Sequence, residues 1–182
     1  RHTSCRPPIS PDYTEDTLPP NMAPPCFSLP DSCHASRLRA IYRAGDEETT
    51  VTTRNGQIAI SPSKWKRLVD AASTITVRLQ AQRGDKWEEY APFHLYIAKE
   101  KIDPYIAYRL IEPGYETWNE MGIYQRCLEN YEETAILTNK MTGYGCMNCH
   151  SFCGQNPEKM LFHLRSDYGG TYIIEEGQIK KL

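Results

Sequence analysis

Thr74-Ile75-Thr76-Val77-Arg78-Leu79-Gln80-Ala81-Gln82 is the stretch whose reading decides the fold class. Polar side chains at even positions alternate with Ile75, Val77, Leu79 and Ala81, the period of two that belongs to a strand with one buried face. Arg83-Gly84-Asp85 supplies turn chemistry, and residues 87–98 return as a further strand. Upstream, Leu38, Ala40 and Tyr42 alternate with Arg37, Arg39 and Ile41, and residues 49–53 form a β-branched run. Arg54-Asn55-Gly56-Gln57 predicts a hairpin turn, because Asn-Gly tolerates positive φ, with residues 57–60 as the partner strand. One helix interrupts the strands: Ser61 is placed as N-cap and Pro62 at the first helical position. It should bury Trp65, Leu68 and Val69 and end near Ala72. Strand, turn and strand at this spacing predict a mainly β chain, with an immunoglobulin-like antiparallel β-sandwich across residues 36–102.

The flanks read differently. Residues 1–35 are crowded by Pro7, Pro8, Pro11, Pro19, Pro20, Pro24, Pro25 and Pro30. Proline is excluded from helix interiors and central strands, so this part is expected as an extended, exposed leader without chemistry. Residues 103–182 are expected as an extension of further β or irregular structure packed on the sandwich. In it Tyr105–Ile111 is apolar and extended, and Glu112-Pro113-Gly114 turns the chain. Tyr105, Tyr108, Tyr115, Trp118, Tyr124 and Tyr131 are read as packing side chains that bury large area with one polar tip.

Composition excludes several function classes. Among 182 residues, 21 basic side chains face 23 acidic ones for a net charge of -2, which leaves no electrostatic footprint for nucleic acid. No apolar run approaches the roughly 20 residues of a membrane-spanning helix. The chain begins at Arg1, as a processed product would, and a signal peptide or lipid anchor is expected upstream. Seven cysteines are many for a reducing compartment, which points to export.

Two of those cysteines fall in Cys146-Met147-Asn148-Cys149-His150, the CxxCH pattern of covalent haem attachment. The chemistry needs two thiols at fixed separation to add to the two vinyl groups, and an imidazole placed to bind the iron. With seven cysteines and five histidines in 182 positions, chance produces this pattern about 0.7% of the time. Gly143 and Gly145 would let the chain wrap closely round a planar cofactor. Met160 and His163 are the candidates for the sixth iron ligand, with Met141 and His94 behind them. A second reading remains open: Cys146, Cys149 and Cys153 with His150 or His163 have the composition of a Cys₃His zinc site. A third is a Cys146–Cys149 disulfide, for which no redox-active βαβ setting is evident. No nucleophile–histidine pairing suggests a hydrolase.

Several segments resemble a bacterial envelope family. They are residues 103–111 (Asp-Pro-Tyr-Ile-Ala-Tyr-Arg-Leu-Ile), Glu112-Pro113-Gly114-Tyr115-Glu116, Cys146-Met147-Asn148-Cys149-His150-Ser151-Phe152, Phe162-His163-Leu164-Arg165 and Leu18-Pro19-Pro20-Asn21-Met22-Ala23-Pro24. Members are labelled cytochrome c biosynthesis or TolB-like proteins and are typically lipoproteins, with such a region ahead of a WD40-like propeller. The resemblance implies a periplasmic or outer-membrane location. It also implies that residues 172–174 and 178–182, split by Glu175-Glu176-Gly177, begin a propeller blade. Cys153 departs from the family pattern. Together these readings lead to the expectation of an exported haem c protein in electron transfer or redox sensing. The alternative is a binding or scaffolding module whose cysteines are structural.

Overall fold

Strand β6 (Thr74–Arg83) is the axis of the first sheet, and its alternation is realised residue by residue: Ile75, Val77, Leu79 and Ala81 are fully buried. The protein is described here from a computed structural model covering residues 4–111, 113 and 120–182. It is mainly β and sandwich-like, built from several antiparallel sheets. The chain divides into two units, Arg1–Pro104 with Leu128–Asn130, and Tyr105–Cys127 with Tyr131–Leu182.

In the first unit, β1 (Thr17–Leu18), β3 (Arg37–Ala44), β4 (Glu47–Thr53), β7 (Lys86–Glu89) and β8 (Phe93–Ile97) join β6. The order is β1-β8-β6-β3-β4, with β7 also paired to β6; every pairing is antiparallel except β1 with β8. The strand expected over residues 87–98 is thus two. Tyr90-Ala91-Pro92 separates them, and Pro92 has no N–H to donate to a ladder.

A second layer covers the inner face of this sheet. Helix α1 (Pro62–Ala71) starts after Ser61 with Pro62 in its first turn and buries Trp65 and Leu68. The Trp65 indole N–H donates to the carbonyl of Met22 at 3.1 Å. Two corrections to the sequence reading sit in this layer. Strand β5 (Gln57–Ile58) does not return along β4; it pairs with β2 (Phe27–Ser28), while β4 is laddered to β3 over seven residues. Ile58 and Phe27 are thereby buried, and Phe27 meets Phe93 edge-on at 6.2 Å.

The proline-rich segment also differs from the exposed leader expected. Ile9, Leu18, Ala23, Phe27 and Leu29 are buried, and most of them join the core of the first unit. Each such aliphatic or aromatic side chain contributes about 1.5–3 kcal/mol when fully buried, more than an exposed linker would forgo.

Of the two alternatives for the extension, further β or irregular structure, the second unit takes the first. Strands β9 (Tyr105–Ile111), β10 (Met121–Cys127) and β11 (Glu133–Thr138) form one antiparallel sheet in the order β11-β10-β9. Strands β12 (Met147–Phe152), β13 (Lys159–Leu164), β14 (Gly170–Glu175) and β15 (Gln178–Lys181) form a consecutive antiparallel meander. The expected terminal hairpin is β14–β15, and it is the outer half of this four-stranded sheet. Met121, Ile123, Leu137, Met147, Met160, Phe162 and Leu164 make a shared core. Gly122 is required there: a Cβ would stand 2.7 Å from the Tyr124 ring and 2.9 Å from the Leu137 carbonyl oxygen. Tyr115 and Trp118, and the turn at Glu112 and Gly114, lie outside the described residues. Among the described residues no helix is long and apolar enough to cross a membrane.

Candidate functional site

The CxxCH segment is delivered by a tight approach. A 3-10 turn (Asn139–Thr142) ends on Gly143, whose φ of 63° is left-handed. The buried Asn139 carbonyl accepts the Tyr144 N–H at 2.8 Å. A Cβ at Gly145 would lie 2.7 Å from the Arg165 carbonyl oxygen, so only glycine lets the two backbones pass. The next residue, Cys146, accepts the Arg165 N–H at 2.8 Å and is locked to the chain beside it. In this fold the glycines expected to wrap a cofactor serve backbone packing.

Within β12 the two faces are set by register, since directly opposed residues share a face. Met147 lies opposite Leu164, is fully buried, and donates its N–H to Met121 Sδ at 3.3 Å. Asn148 lies opposite His163 on the other face. The ladder then slips: Cys149 is an extra residue with φ of 48°, and His150 resumes the pairing opposite Phe162. Asn148 Oδ1 accepts the Cys149 N–H at 3.0 Å and a hydrogen bond from the Arg109 guanidinium of β9. The outcome is an exposed Cys149 flanked by half-buried Cys146 and His150, on the terminal strand of its sheet.

Within the second unit the candidate partners Met160 and His163 occupy opposite faces of β13, and Met141 sits in the turn before β12. Met160, opposite Phe152, is 3% exposed and shares the core face with His150 on the neighbouring strand. His163 points from the other face and its Nδ1 lies 3.1 Å from Thr171 Oγ1. Met141 is exposed, and His94 belongs to the first unit, where Nδ1 lies 3.3 Å from Glu15 Oε1.

The thiolate reading meets a similar result. Cys153 is exposed in a 3-10 turn (Cys153–Gln155) after β12, and all seven cysteines are unbonded. Among the described residues no three His, Cys, Asp or Glu side chains stand close enough together to hold a metal ion. Cys146, Cys149, Cys153 and His150 or His163 are therefore not gathered into a tetrahedral zinc set.

Of the attachment trio, Cys149 is exposed at the bulge of the edge strand, while Cys146 just before that strand and His150 on its core face are half-buried. Of the sixth-ligand candidates, Met160 lies in the core and His163 on the opposite face of β13. Arg109 and Thr171 are the site's partners that sequence reading missed. Arg109 reaches Asn148 across 39 residues of sequence, a separation at which no local pattern signals a contact. No family model, curated protein or solved structure matches this chain.

Proposed function

We propose that this chain is an exported protein carrying one covalent c-type haem on Cys146, Cys149 and His150, with a role in electron transfer or redox sensing at the bacterial envelope. Its place would be the periplasm, or the outer membrane if a lipid anchor precedes it. The observation that supports this most is the exposed Cys149 thiol at the β12 bulge, beside half-exposed Cys146 and His150 in CxxCH spacing. When bound, the haem supplies a one-electron iron couple.

The chain's own residues have separable tasks. Cys146 and Cys149 would hold the haem through thioether bonds to its two vinyl groups. His150 would hold the iron of the bound group. Met147, held in the core and bonded to Met121, anchors the segment between the two thiols.

The test is intact mass and visible spectrum after export alongside a c-type maturation system. The expected result is a gain of one haem with thioether-type absorption, lost in Cys146→Ser with Cys149→Ser. Unchanged mass from a host that matures a control cytochrome would overturn the proposal. The rival, a binding or scaffolding module with structural cysteines, would then stand.

A further inference from the structure

The outward face of the first sheet carries four arginines that the haem reading does not use. Arg37, Arg39 and Arg43 occupy alternate positions of β3, and Arg78 stands opposite Ile41 on β6. Successive alternate residues on a strand are about 6.8 Å apart, so the β3 row extends over about 20 Å. Among the described residues, none of the four forms an ion pair.

This face is pre-organised. The Arg39 guanidinium lies 4.4 Å from the Trp87 ring centroid and donates to Gln80 Oε1 at 3.3 Å. Gln80 in turn donates to Glu89 Oε2 at 2.6 Å, which turns that carboxylate's oxygen toward an amide. Glu15, at one end, is held by the His94 N–H and the Tyr96 hydroxyl. Glu48 of β4 stands opposite Arg43 at one end of the row, and Thr50 and Thr52 on β4 and Gln82 on β6 place neutral hydrogen-bonding side chains beside the other cations.

We infer that this face binds an acidic polysaccharide, a chain of hydroxyl-rich units bearing spaced carboxylates or sulfates. Arginine forks suit planar oxyanions, and the intervening threonine and glutamine side chains suit hydroxyl groups. A nucleic acid would favour denser positive charge with several aromatic platforms for stacking.

The experiment is titration of the full chain, at low and at physiological salt, with polygalacturonate, chondroitin sulfate, dextran and oligo-dT. Binding of polygalacturonate or chondroitin sulfate is expected, weaker at the higher salt; which of the two binds tells carboxylate from sulfate. Arg39→Gln and Arg78→Gln should each weaken it about tenfold, the loss of one charge-assisted contact. Their outward-facing positions leave the fold intact, which an unchanged melting temperature would verify. Absence of binding to both acidic polymers, equal binding of dextran, tighter binding of oligo-dT, or full affinity in the double variant would each overturn the inference.

Discussion

Arg109 of β9 is hydrogen-bonded to Asn148 of β12, and the same Asn148 oxygen caps the N–H of Cys149. One side-chain oxygen thus holds a non-glycine residue in a left-handed conformation and ties the bulge to the facing sheet. Arg109→Ala removes one partner of a charge-assisted hydrogen bond, worth about 1.5 kcal/mol or more. Alkylation of the half-buried Cys146 should then speed up about tenfold, as read by mass spectrometry of timed labelling. Labelling at the wild-type rate would show that Arg109 does not restrain the segment.

Met160 is buried in the core of the second unit, and His163, on the opposite face of β13, has its Nδ1 3.1 Å from Thr171 Oγ1. In the haem-loaded protein, Met160→Leu and His163→Gln should leave the visible spectrum and midpoint potential unchanged. Met160→Leu should cost less than about 1.5 kcal/mol of stability, as volume-conserving core changes do. Loss of a methionine-to-iron charge-transfer band in Met160→Leu would show that β13 rearranges on loading.

Tyr42 is fully buried in the first unit, its hydroxyl has no hydrogen-bond partner among the described residues, and burial pushes its pKa far up. Removing an unsatisfied buried hydroxyl at constant shape is neutral or favourable. Tyr42→Phe should therefore hold or raise the melting temperature, by up to about 1 kcal/mol equivalent. A clear loss of stability would reveal a partner for that hydroxyl.

Glu133 accepts hydrogen bonds from the Tyr108 hydroxyl and from Arg126, the latter at 2.7 Å, so its carboxyl titrates below the ordinary 4.5. A lowered folded-state value means that the stabilisation is complete above pH about 4.5 and disappears as pH falls through the folded value. The β9–β10–β11 sheet should loosen in acid. Glu133→Gln should narrow the difference in melting temperature between pH 3 and pH 7; an identical difference in both proteins would remove Glu133 from the account.

Much of the first sheet was legible because one face is buried and the other polar, which writes a period of two into β3 and β6. Helix α1 was legible from Ser61-Pro62 and the spacing of Trp65 and Leu68. The failures share a cause in non-local partners. Nothing near Asn55-Gly56 tells that Gln57 and Ile58 will pair with Phe27 and Ser28, nor that Ile9 and Leu18 will lie in the core despite their prolines. At the site, motif spacing identified Cys146, Cys149 and His150. The facing of each side chain depends on a register slip that no spacing records.

That slip at Cys149 acts as a parity change. In an unbroken ladder Cys149 would face inward, and His150 would emerge beside His163, diagonal neighbours on one surface. The single inserted residue reverses this, sending the thiol to solvent and the imidazole inward with the sheet between the two histidines. Deleting or flattening the bulge would exchange which chemistry the edge strand shows to the outside, with no residue changed in type.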